Sequence, residues 1–276
     1  MVSISTELAG HGLTPRKSLG QHFLADQNIL NKVVEAARIE KDDVVLEVGS
    51  GLGKMTLALA ERARRVIAVE VDLRVARILI EKMADQQNVE VLQRDILEVD
   101  FRQFHEKAGQ QIKVVANLPY QITTPLLFRF VESRDIFSSL TLMIQKEVAA
   151  RLTAPPGGKD YGILSVFTQL VSDVSLLFLI KPSAFFPPPK VDSAVIRIAW
   201  KQKPMADVQD MEWFKRVVRG CFGYRRKTLG NALKHSGLPL PLDAIETIRR
   251  NGIDPQSRPE SLTIPEFARL ANSLKA

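Results

Sequence analysis

Asp43 to Thr56 reads D-V-V-L-E-V-G-S-G-L-G-K-M-T, and this stretch decides the fold. Four of the five residues from Val44 to Val48 are apolar and three are β-branched, which is typical of a strand buried on both faces of a parallel sheet. Three glycines follow, at positions 49, 51 and 53, and they let the backbone turn sharply beside a ligand. The apolar spacing from Met55 onward predicts a helix. The stretch therefore predicts the strand, glycine turn and helix of a nucleotide-binding fold.

The spacing of the glycines distinguishes between classes of nucleotide site. The dinucleotide fingerprint G-x-G-x-x-G needs a glycine three residues after Gly51, where this chain has Lys54. Its third glycine, Gly53, comes one position too early, so the spacing disfavours NAD and FAD. A phosphate-binding G-x-x-x-x-G-K-[ST] motif cannot be placed over Gly49 to Thr56, which excludes a P-loop in this stretch.

Length and composition predict an intracellular globular protein. The 276 residues lie near the size, about 250 to 300, at which chains divide into domains. The longest purely apolar stretches, such as Leu176 to Ile180, are too short to span a bilayer, and the first residues, M-V-S-I-S-T-E-L-A-G-H-G, lack the apolar core of a signal peptide. A single cysteine, Cys221, permits no internal disulfide. We expect a cytoplasmic protein that does not associate with membranes.

The net charge of +7 is concentrated in the last quarter of the chain. Residues 201–276 contain 14 Lys and Arg against 8 Asp and Glu, whereas residues 1–200 contain 24 against 23. Residues 1–200 are predicted to form the catalytic domain, residues 201–207 (K-Q-K-P-M-A-D) a linker, and residues 208–276 a small basic domain that binds a polyanion. Four short helices are predicted in this last domain, at 213–222, 227–235, 242–250 and 265–274.

Four further stretches, at 66–71, 89–95, 114–117 and 140–144, predict buried strands separated by helical patterns. This alternation predicts an α/β fold with a doubly wound, mostly parallel sheet, whose ligands bind beyond the carboxyl ends of the strands. The residues at those ends are Gly49, Glu70, Asp95 and Asn117. Glu70 follows the glycine turn by about 20 residues, where an acid can accept hydrogen bonds from both hydroxyls of a ribose. Asp95, one strand further, is a candidate partner for an adenine amine.

A basic lead-in precedes the first of these strands. Thr14 to Leu24 reads T-P-R-K-S-L-G-Q-H-F-L, and its proline and glycine predict an extended segment over the surface. The lead-in brings two cations, Arg16 and Lys17. Asp26 is then predicted to cap a helix in which apolar residues recur at helical spacing.

The loop Asn117-Leu118-Pro119-Tyr120 follows the fourth strand and carries the strongest chemical signal. Its proline lacks an N–H and restricts the preceding leucine to extended backbone, so the loop is rigid. Such a loop suits the exocyclic amine of a nucleobase, whose lone pair is delocalised into the ring. If the Asn117 side-chain oxygen and the Leu118 carbonyl accept its N–H bonds, the nitrogen becomes pyramidal and can attack an electrophile. Tyr120 can stack on the base and favour a nearby cation through its π face.

Together these segments resemble the KsgA family of ribosomal RNA adenine N6-dimethyltransferases, which are relatives of the erythromycin-resistance methyltransferases. The resemblance covers nearly the whole chain and rests on motifs that occur in this order: G-Q-H-F-L at 20–24, E-V-G-S-G-L-G at 47–53, Glu70, Asp95-Ile96, N-L-P-Y at 117–120, F-F-P-P-P-K-V-D-S at 185–193 and R-R-K-T-L at 225–229. It implies a Rossmann-like class I methyltransferase fold with a small all-α C-terminal domain.

The resemblance also implies S-adenosylmethionine as the methyl donor, with S-adenosylhomocysteine as the product. The residues that it implies for cofactor binding come from the lead-in and the strand ends: His22, Leu24, Gly49, Gly51, Glu70, Asp95, Ile96 and Asn117. Many relatives have Asn where this chain has His22.

The catalytic residues that the resemblance implies are Asn117, Leu118, Pro119, Tyr120 and Phe185. The target adenine is expected between the rings of Tyr120 and Phe185, with its amine on Asn117 and Leu118. A stiff proline loop, Pro182 to Lys190, presents the second ring. Pattern alone leaves Phe185 and Phe186 as alternatives for that ring, and the family motif favours Phe185.

The substrate implied by the resemblance is a pair of adjacent adenines in the 3′ terminal hairpin of 16S rRNA, in the immature 30S subunit, during ribosome biogenesis. Phosphate contacts would position this RNA without reading its sequence. The predicted RNA-binding residues are Arg16, Lys17, Arg216, Arg219, Arg225, Arg226 and Lys227.

A sulfonium methyl is already activated, so no metal and no covalent nucleophile are expected. The four histidines show no ligand spacing, and Cys221 lies far in sequence from N-L-P-Y, which disfavours cysteine-dependent methylation of pyrimidine carbon. One alternative is a methyltransferase of the erythromycin-resistance type, acting on 23S rRNA; the R-R-K-T-L motif favours the KsgA family. Another is a protein that keeps the fold for RNA binding or transcription, which the complete set of cofactor positions disfavours. A monomer is the default expectation.

Overall fold

The computed structural model describes residues 3–275 and divides the chain into two compact units. The first unit comprises residues 1–149 and 175–200, and the second comprises residues 150–174 and 201–276. The change of unit at residue 201 falls where the sequence places the start of the linker. Residues 150–174 belong to the second unit, although the sequence analysis assigned them to the first domain.

Two sheets are formed by nine strands in the described residues. The strands are β1 (Phe23–Leu24), β2 (Val44–Val48), β3 (Arg65–Glu70), β4 (Val89–Gln93), β5 (Ile112–Asn117), β6 (Phe137–Gln145), β7 (Ser172–Ile180), β8 (Phe185–Phe186) and β9 (Ser193–Trp200). β1 and β8 form a small antiparallel pair, and the other seven have the order β4-β3-β2-β5-β6-β9-β7. The strands from β2 to β6 are parallel to their neighbours, whereas β9 is antiparallel to β6. The predicted α/β class with a doubly wound, mostly parallel sheet is confirmed.

The strand order brings four carboxyl ends together at one edge of the sheet. β2 is the strand predicted to be buried on both faces of the sheet, and all five of its residues are buried. Its register places Glu47 opposite Ala68 of β3 and Val115 of β5. β4, β3, β2 and β5 are consecutive neighbours, so the loops that follow them open on the same side, as is usual for ligand sites in such sheets.

Helices connect the strands. They are α1 (Ile4–Gly10), α2 (Gln27–Ala36), α3 (Lys54–Ala60), α4 (Leu73–Lys82), α5 (Phe101–Ala108), α6 (Thr123–Glu132) and α7 (Lys146–Thr153), with a short 3₁₀ turn at Lys17–Leu19. Aspartates begin three of them, because a carboxylate accepts the first free backbone N–H groups of a helix: Asp26 caps α2 as predicted, Asp72 caps α4 and Asp100 caps α5. No helix in residues 3–275 has the length and apolar character needed to cross a bilayer.

Five α-helices lie wholly within the described residues of the second unit. They are α8 (Ile163–Val171), α9 (Met211–Gly223), α10 (Leu229–His235), α11 (Ala244–Arg250) and α12 (Ile264–Leu274). The last four are the helices predicted there, and Phe214, Cys221, Leu229 and Phe267 are fully buried among them. α8 was not predicted, although its polar residues Ser165, Thr168 and Gln169 recur at helical spacing among apolar neighbours.

Gly53 shows how tightly the glycine turn is packed against the rest of the first unit. Its φ is +82°, and a Cβ at this position would lie 2.6 Å from Leu79 Cδ1 and 3.1 Å from Met83 Cε. The left-handed backbone disfavours any side chain, and an added Cβ would force the buried side chains of Leu79 in α4 and Met83 at its end to move. The early third glycine is therefore required by packing as well as by the turn.

Gly53→Ala should lower the free energy of unfolding by about 2–4 kcal/mol, because overpacking adds to the backbone strain. The matched control is Gly109→Ala, which has a similar φ of +67° at the end of α5 and no atom within 4 Å of the added Cβ. This control should lose only about 1–2 kcal/mol. Urea unfolding of both variants measures the difference, and equal losses would show that the contact with Leu79 is unimportant.

Candidate active site

A cavity lies at the carboxyl ends of β2, β3, β4 and β5 in the first unit. Its lining includes all the residues that the sequence assigned to the cofactor: His22, Leu24, Gly49, Gly51, Glu70, Asp95, Ile96 and Asn117. Three residues of the candidate catalytic loop, Leu118, Pro119 and Tyr120, line it as well. The structure thus brings together residues that are up to 98 positions apart in the chain.

Glu70 is held by the backbone on both sides of its carboxylate. Its Oε2 accepts the Gly51 N–H at 2.9 Å, and its Oε1 accepts the Asp72 N–H at 2.9 Å. Burial raises the pKa of Glu70, and the two backbone hydrogen bonds oppose that shift. The carboxylate is therefore fixed in one orientation, and each oxygen keeps a lone pair for a hydroxyl donor.

Two polar atoms next to the glycine turn make no well-formed hydrogen bond within residues 3–275. Glu47 is fully buried, and its Oε2 accepts a hydrogen bond of 2.6 Å from the Thr56 hydroxyl. Its Oε1 and the Oγ of Ser50 are buried and make no hydrogen bond of normal geometry, although the Ser50 hydroxyl is close enough to the Glu47 carboxyl to offset part of the rise in pKa that burial causes there; both residues line the cavity. Burial raises the pKa of Glu47 to about 8. A polar ligand group at this end of the cavity would satisfy both atoms, which are expensive to bury unpaired.

An arginine of α6, which the sequence analysis did not identify, donates hydrogen bonds to the loop after β4. Arg129 donates to the Ile96 carbonyl at 2.6 Å and also to the Val99 carbonyl, and its guanidinium lies 4.5 Å from the centroid of the Phe101 ring. Asp95 accepts the Leu97 N–H at 2.8 Å within the same loop. Arg129 thus connects the predicted adenine-binding loop to the helix that begins just after the candidate catalytic loop.

The loop from Asn117 to Tyr120 is fixed by hydrogen bonds. The Asn117 Nδ2 donates to the His22 carbonyl at 2.8 Å, and the Leu118 N–H donates to the Met143 carbonyl at 3.0 Å. The Pro119 carbonyl accepts from the Ile122 N–H at 3.1 Å. Because Nδ2 is committed to His22, the Asn117 Oδ1 is the side-chain atom that remains to accept a hydrogen bond.

Tyr120 and His22 form a pair at the cavity. Their ring centroids are 5.6 Å apart with an interplanar angle of 30°. The Tyr120 hydroxyl lies 2.7 Å from Ser193 Oγ, and His22 Nδ1 donates to the Pro187 carbonyl at 2.7 Å. One face of the Tyr120 ring is therefore occupied by His22, so a base would have to stack on the other face.

The structure does not bring Phe185 to this cavity. Phe185 is only 4% exposed and belongs to the hydrophobic core of the first unit, and its backbone pairs with Leu24. Phe186 is half-buried and pairs with Phe23, and it does not line the cavity either. A ring buried as deeply as that of Phe185 cannot stack on a base without first leaving the core.

Asp72 links the lead-in to the cofactor side of the cavity. Its buried carboxylate accepts from Arg74 at 2.7 Å and from Gln21 Nε2 at 3.1 Å, and the hydrogen bond from Arg74 holds the pKa of Asp72 below its usual value. Arg16 approaches the same carboxylate at 3.7 Å, whereas Lys17 is exposed. Of the two predicted RNA-binding cations of the lead-in, Arg16 therefore also has a role within the first unit.

The predicted basic residues of the second unit differ in their surroundings. Arg216 and Arg219 are exposed on α9, and Arg226 and Lys227 are exposed in the turn before α10. Arg225 is half-buried, donates to the Gly158 carbonyl at 3.2 Å and lies 4.0 Å from Glu260. Arg225 thus holds the second unit together, while its neighbours are available to phosphates. In the part of the chain that the structure describes, no group of His, Cys, Asp and Glu could hold a metal ion.

Sequence comparisons with known proteins all match this chain to one family. The family model of ribosomal RNA adenine dimethylase matches residues 12–276. The ribosomal RNA small subunit methyltransferase A of Geobacter metallireducens is 46% identical over 98% of both chains, and that of Pelotomaculum thermopropionicum is 46% identical over 95% of this chain and 92% of its own.

Solved structures agree with these sequence relatives. A dimethyladenosine transferase from Plasmodium falciparum has a TM-score of 0.78 and 27% identity, over 90% of this chain and 96% of its own. The 23S rRNA methyltransferase ErmE has a TM-score of 0.69 and 27% identity, over 92% of this chain and all of its own. The predicted Rossmann-like methyltransferase fold is confirmed.

Glu47→Gln tests the protonation of the buried carboxyl, since Gln keeps an acceptor for Thr56 but cannot ionise. The pKa of Glu47 is about 8 in the folded protein against an ordinary value of 4.5. Its contribution to stability is therefore complete below about pH 4.5 and is lost as the pH rises towards 8. In urea unfolding, the free energy of unfolding of the wild type should fall over that pH range by on the order of 4 kcal/mol relative to that of the variant. The control is Glu61→Gln, at an exposed glutamate beside α3, and its curve should run parallel to the wild type. If the free energy of unfolding of Glu47→Gln followed the same pH dependence as that of the wild type, the raised pKa of Glu47 would be contradicted.

Proposed function

The chain belongs to the ribosomal RNA adenine dimethylase family, and we propose that it dimethylates N6 of two adjacent adenosines in the 3′ terminal hairpin of small-subunit rRNA. The enzyme is an rRNA adenine dimethyltransferase, and S-adenosylmethionine is the proposed donor. The observation that carries the proposal is the Asn117 side chain, whose Nδ2 is held by His22 while Oδ1 is available in the same cavity as Glu70 and the glycine turn.

The cavity suits S-adenosylmethionine in three places. Glu70 offers two oriented oxygens to the ribose hydroxyls, and Asp95 and Ile96 follow the next strand, at the adenine position. The buried Glu47 Oε1 and Ser50 Oγ suit the charged amino-acid end, because an ammonium beside Glu47 would favour its ionised form. When bound, this cofactor supplies a methyl group activated on a sulfonium.

Catalysis by the protein then depends on positioning the acceptor amine. The Asn117 Oδ1 and the Leu118 carbonyl would accept the two N–H bonds of N6, which localises the nitrogen lone pair and directs it away from the ring. The hydrogen bonds that fix Asn117 and Leu118 hold these two acceptors in place before the substrate arrives. The positive charge that develops on N6 is stabilised by both carbonyl dipoles and by the π face of Tyr120.

The proposed RNA is that of the small subunit, in the immature 30S particle. The relatives at 46% identity carry the small-subunit name, whereas the 23S rRNA methyltransferase ErmE is 27% identical. Tritium transfer from S-adenosylmethionine to immature small subunits, large subunits and free rRNA tests this choice. Transfer to immature small subunits is expected. Transfer only to large-subunit RNA would favour the erythromycin-resistance type, and no transfer to any of the three would favour a binding protein.

Asn117→Ala should reduce kcat by at least about a hundredfold, since it removes an interaction that is strongest in the transition state. The affinity for S-adenosylmethionine, measured by calorimetry, should fall much less. The control is Thr124→Ala, an exposed residue of α6 just beyond the loop, and it should behave like the wild type. Turnover near normal in Asn117→Ala would mean that Asn117 has only a structural role.

Arg226→Ala should weaken RNA binding and lower the slope of log affinity against log salt by about 0.7–0.9, because one phosphate contact is lost. Its thermal stability should not change, since Arg226 is exposed. Arg225→Ala should lower stability as well, because it also removes the contact with the Gly158 carbonyl. Arg62→Ala, at an exposed position of the first unit, makes the same change in net charge and should leave the slope unaltered. An unchanged slope in Arg226→Ala would place the RNA face elsewhere.

A further inference from the structure

Tyr224 is an exposed aromatic residue in the basic turn between α9 and α10. It is 40% exposed, whereas every other Phe, Tyr and Trp in residues 3–275 is buried or half-buried. The core of the second unit is completed by other rings, including the fully buried Phe214 and Phe267. Burial of its own ring therefore does not account for an aromatic residue at this position.

The surroundings of Tyr224 combine positive charge with a defined ring position. The Lys227 ammonium lies 5.4 Å from the ring centroid, and the His235 ring lies 5.7 Å away, tilted by 51°. The Lys227 N–H donates to the Tyr224 carbonyl at 2.8 Å, which holds the turn. Arg226, between them in sequence, is exposed. The turn thus presents one aromatic ring and two exposed cations on a backbone that is hydrogen-bonded in place.

We propose that Tyr224 is a stacking platform for an unpaired RNA base, and that Lys227 leaves the ring to contact the adjacent phosphate. The proposal rests on the proposed function only in taking RNA as the ligand. It assigns to the turn a contact with a base, beyond the phosphate contacts predicted for Arg226 and Lys227. Single-stranded nucleic acids are generally bound by this combination of stacking rings and cations.

Replacement of the Lys227 ammonium by a stacked base on the Tyr224 ring is favourable. A cation over an aromatic ring at an exposed site is worth about two- to fivefold in an equilibrium constant, whereas stacking of a base is worth about 5- to 140-fold in affinity. Lys227 also gains a phosphate partner when it moves, so its charge is not left without one. A paired duplex has no exposed base face to offer except at its ends, so the platform would select loops, bulges and ends.

The test uses two RNAs of equal length, one a hairpin with unpaired loop nucleotides and the other a fully paired duplex. Tyr224→Ala should weaken binding of the hairpin about tenfold, within the range for loss of one stacked base, and leave the duplex unaffected. The salt slope of Tyr224→Ala should equal that of the wild type, since no charge is lost. Tyr224→Phe keeps the ring and should bind both RNAs like the wild type.

Lys227→Ala is the matched control, because it removes a charge and keeps the Tyr224 ring, so it should change the salt dependence of binding. It should lower the salt slope by about 0.7–0.9 on the hairpin, whereas Tyr224→Ala should not. Equal losses on hairpin and duplex for Tyr224→Ala, or no loss on either, would overturn the stacking assignment. Thermal unfolding of each variant confirms that the second unit is intact, and Tyr224→Phe shows whether the ring or the hydroxyl matters.

The methyl-transfer assay separates this proposal from the proposed function. If the wild type methylates immature small subunits and Tyr224→Ala binds the hairpin normally, only the stacking proposal fails. If the wild type transfers no methyl group but Tyr224→Ala still loses hairpin affinity selectively, the proposed function fails and the stacking platform stands. Selective loss of hairpin affinity together with normal transfer by the wild type supports both.

Discussion

The buried carboxylate of Glu70 is the constraint on which the site depends. A buried carboxylate needs hydrogen-bond donors, and Glu70 takes them from the backbone of Gly51 in the glycine turn and of Asp72 at the start of α4. The turn can approach only because Gly51 has a positive φ of 56° and no side chain between itself and Phe23. One carboxylate, through two hydrogen bonds, thus holds the glycine turn, the end of β3 and the start of α4 in a single arrangement.

Asp72 is in turn linked through the lead-in to the candidate catalytic loop. The Asp72 side chain accepts from Gln21, the next residue is His22, and the His22 carbonyl accepts from the Asn117 amide. The lead-in therefore joins the acid that would hold the ribose to the amide that would hold the target amine. A methyl transfer needs its donor and acceptor aligned closely, and a series of hydrogen bonds and covalently linked residues between the two half-sites suits that need.

The sequence predicted the residues that meet at the strand ends more completely than those that support them. Period, glycine spacing and strand-end polarity are local signals, and they identified Gly49, Glu70, Asp95 and Asn117 together with the mostly parallel, doubly wound sheet. Arg129 gave no such signal, since its partners Ile96 and Val99 lie about 30 residues away and only their backbone takes part. Residues 150–174 join the second unit through packing between distant segments, which a boundary drawn from composition does not detect.

The burial of Phe185 and the pairing of His22 with Tyr120 change how a base would be recognised. A sandwich between two rings would favour any base, because every base has a π face. Here one face of Tyr120 is covered by His22 and the Phe185 ring lies in the core, so stacking supplies a single contact. Under the proposed function, discrimination between an amino and a keto base would then rest on two acceptors, the Asn117 Oδ1 and the Leu118 carbonyl. These match an amino group, whereas a keto oxygen at the same position would meet them without a proton to share.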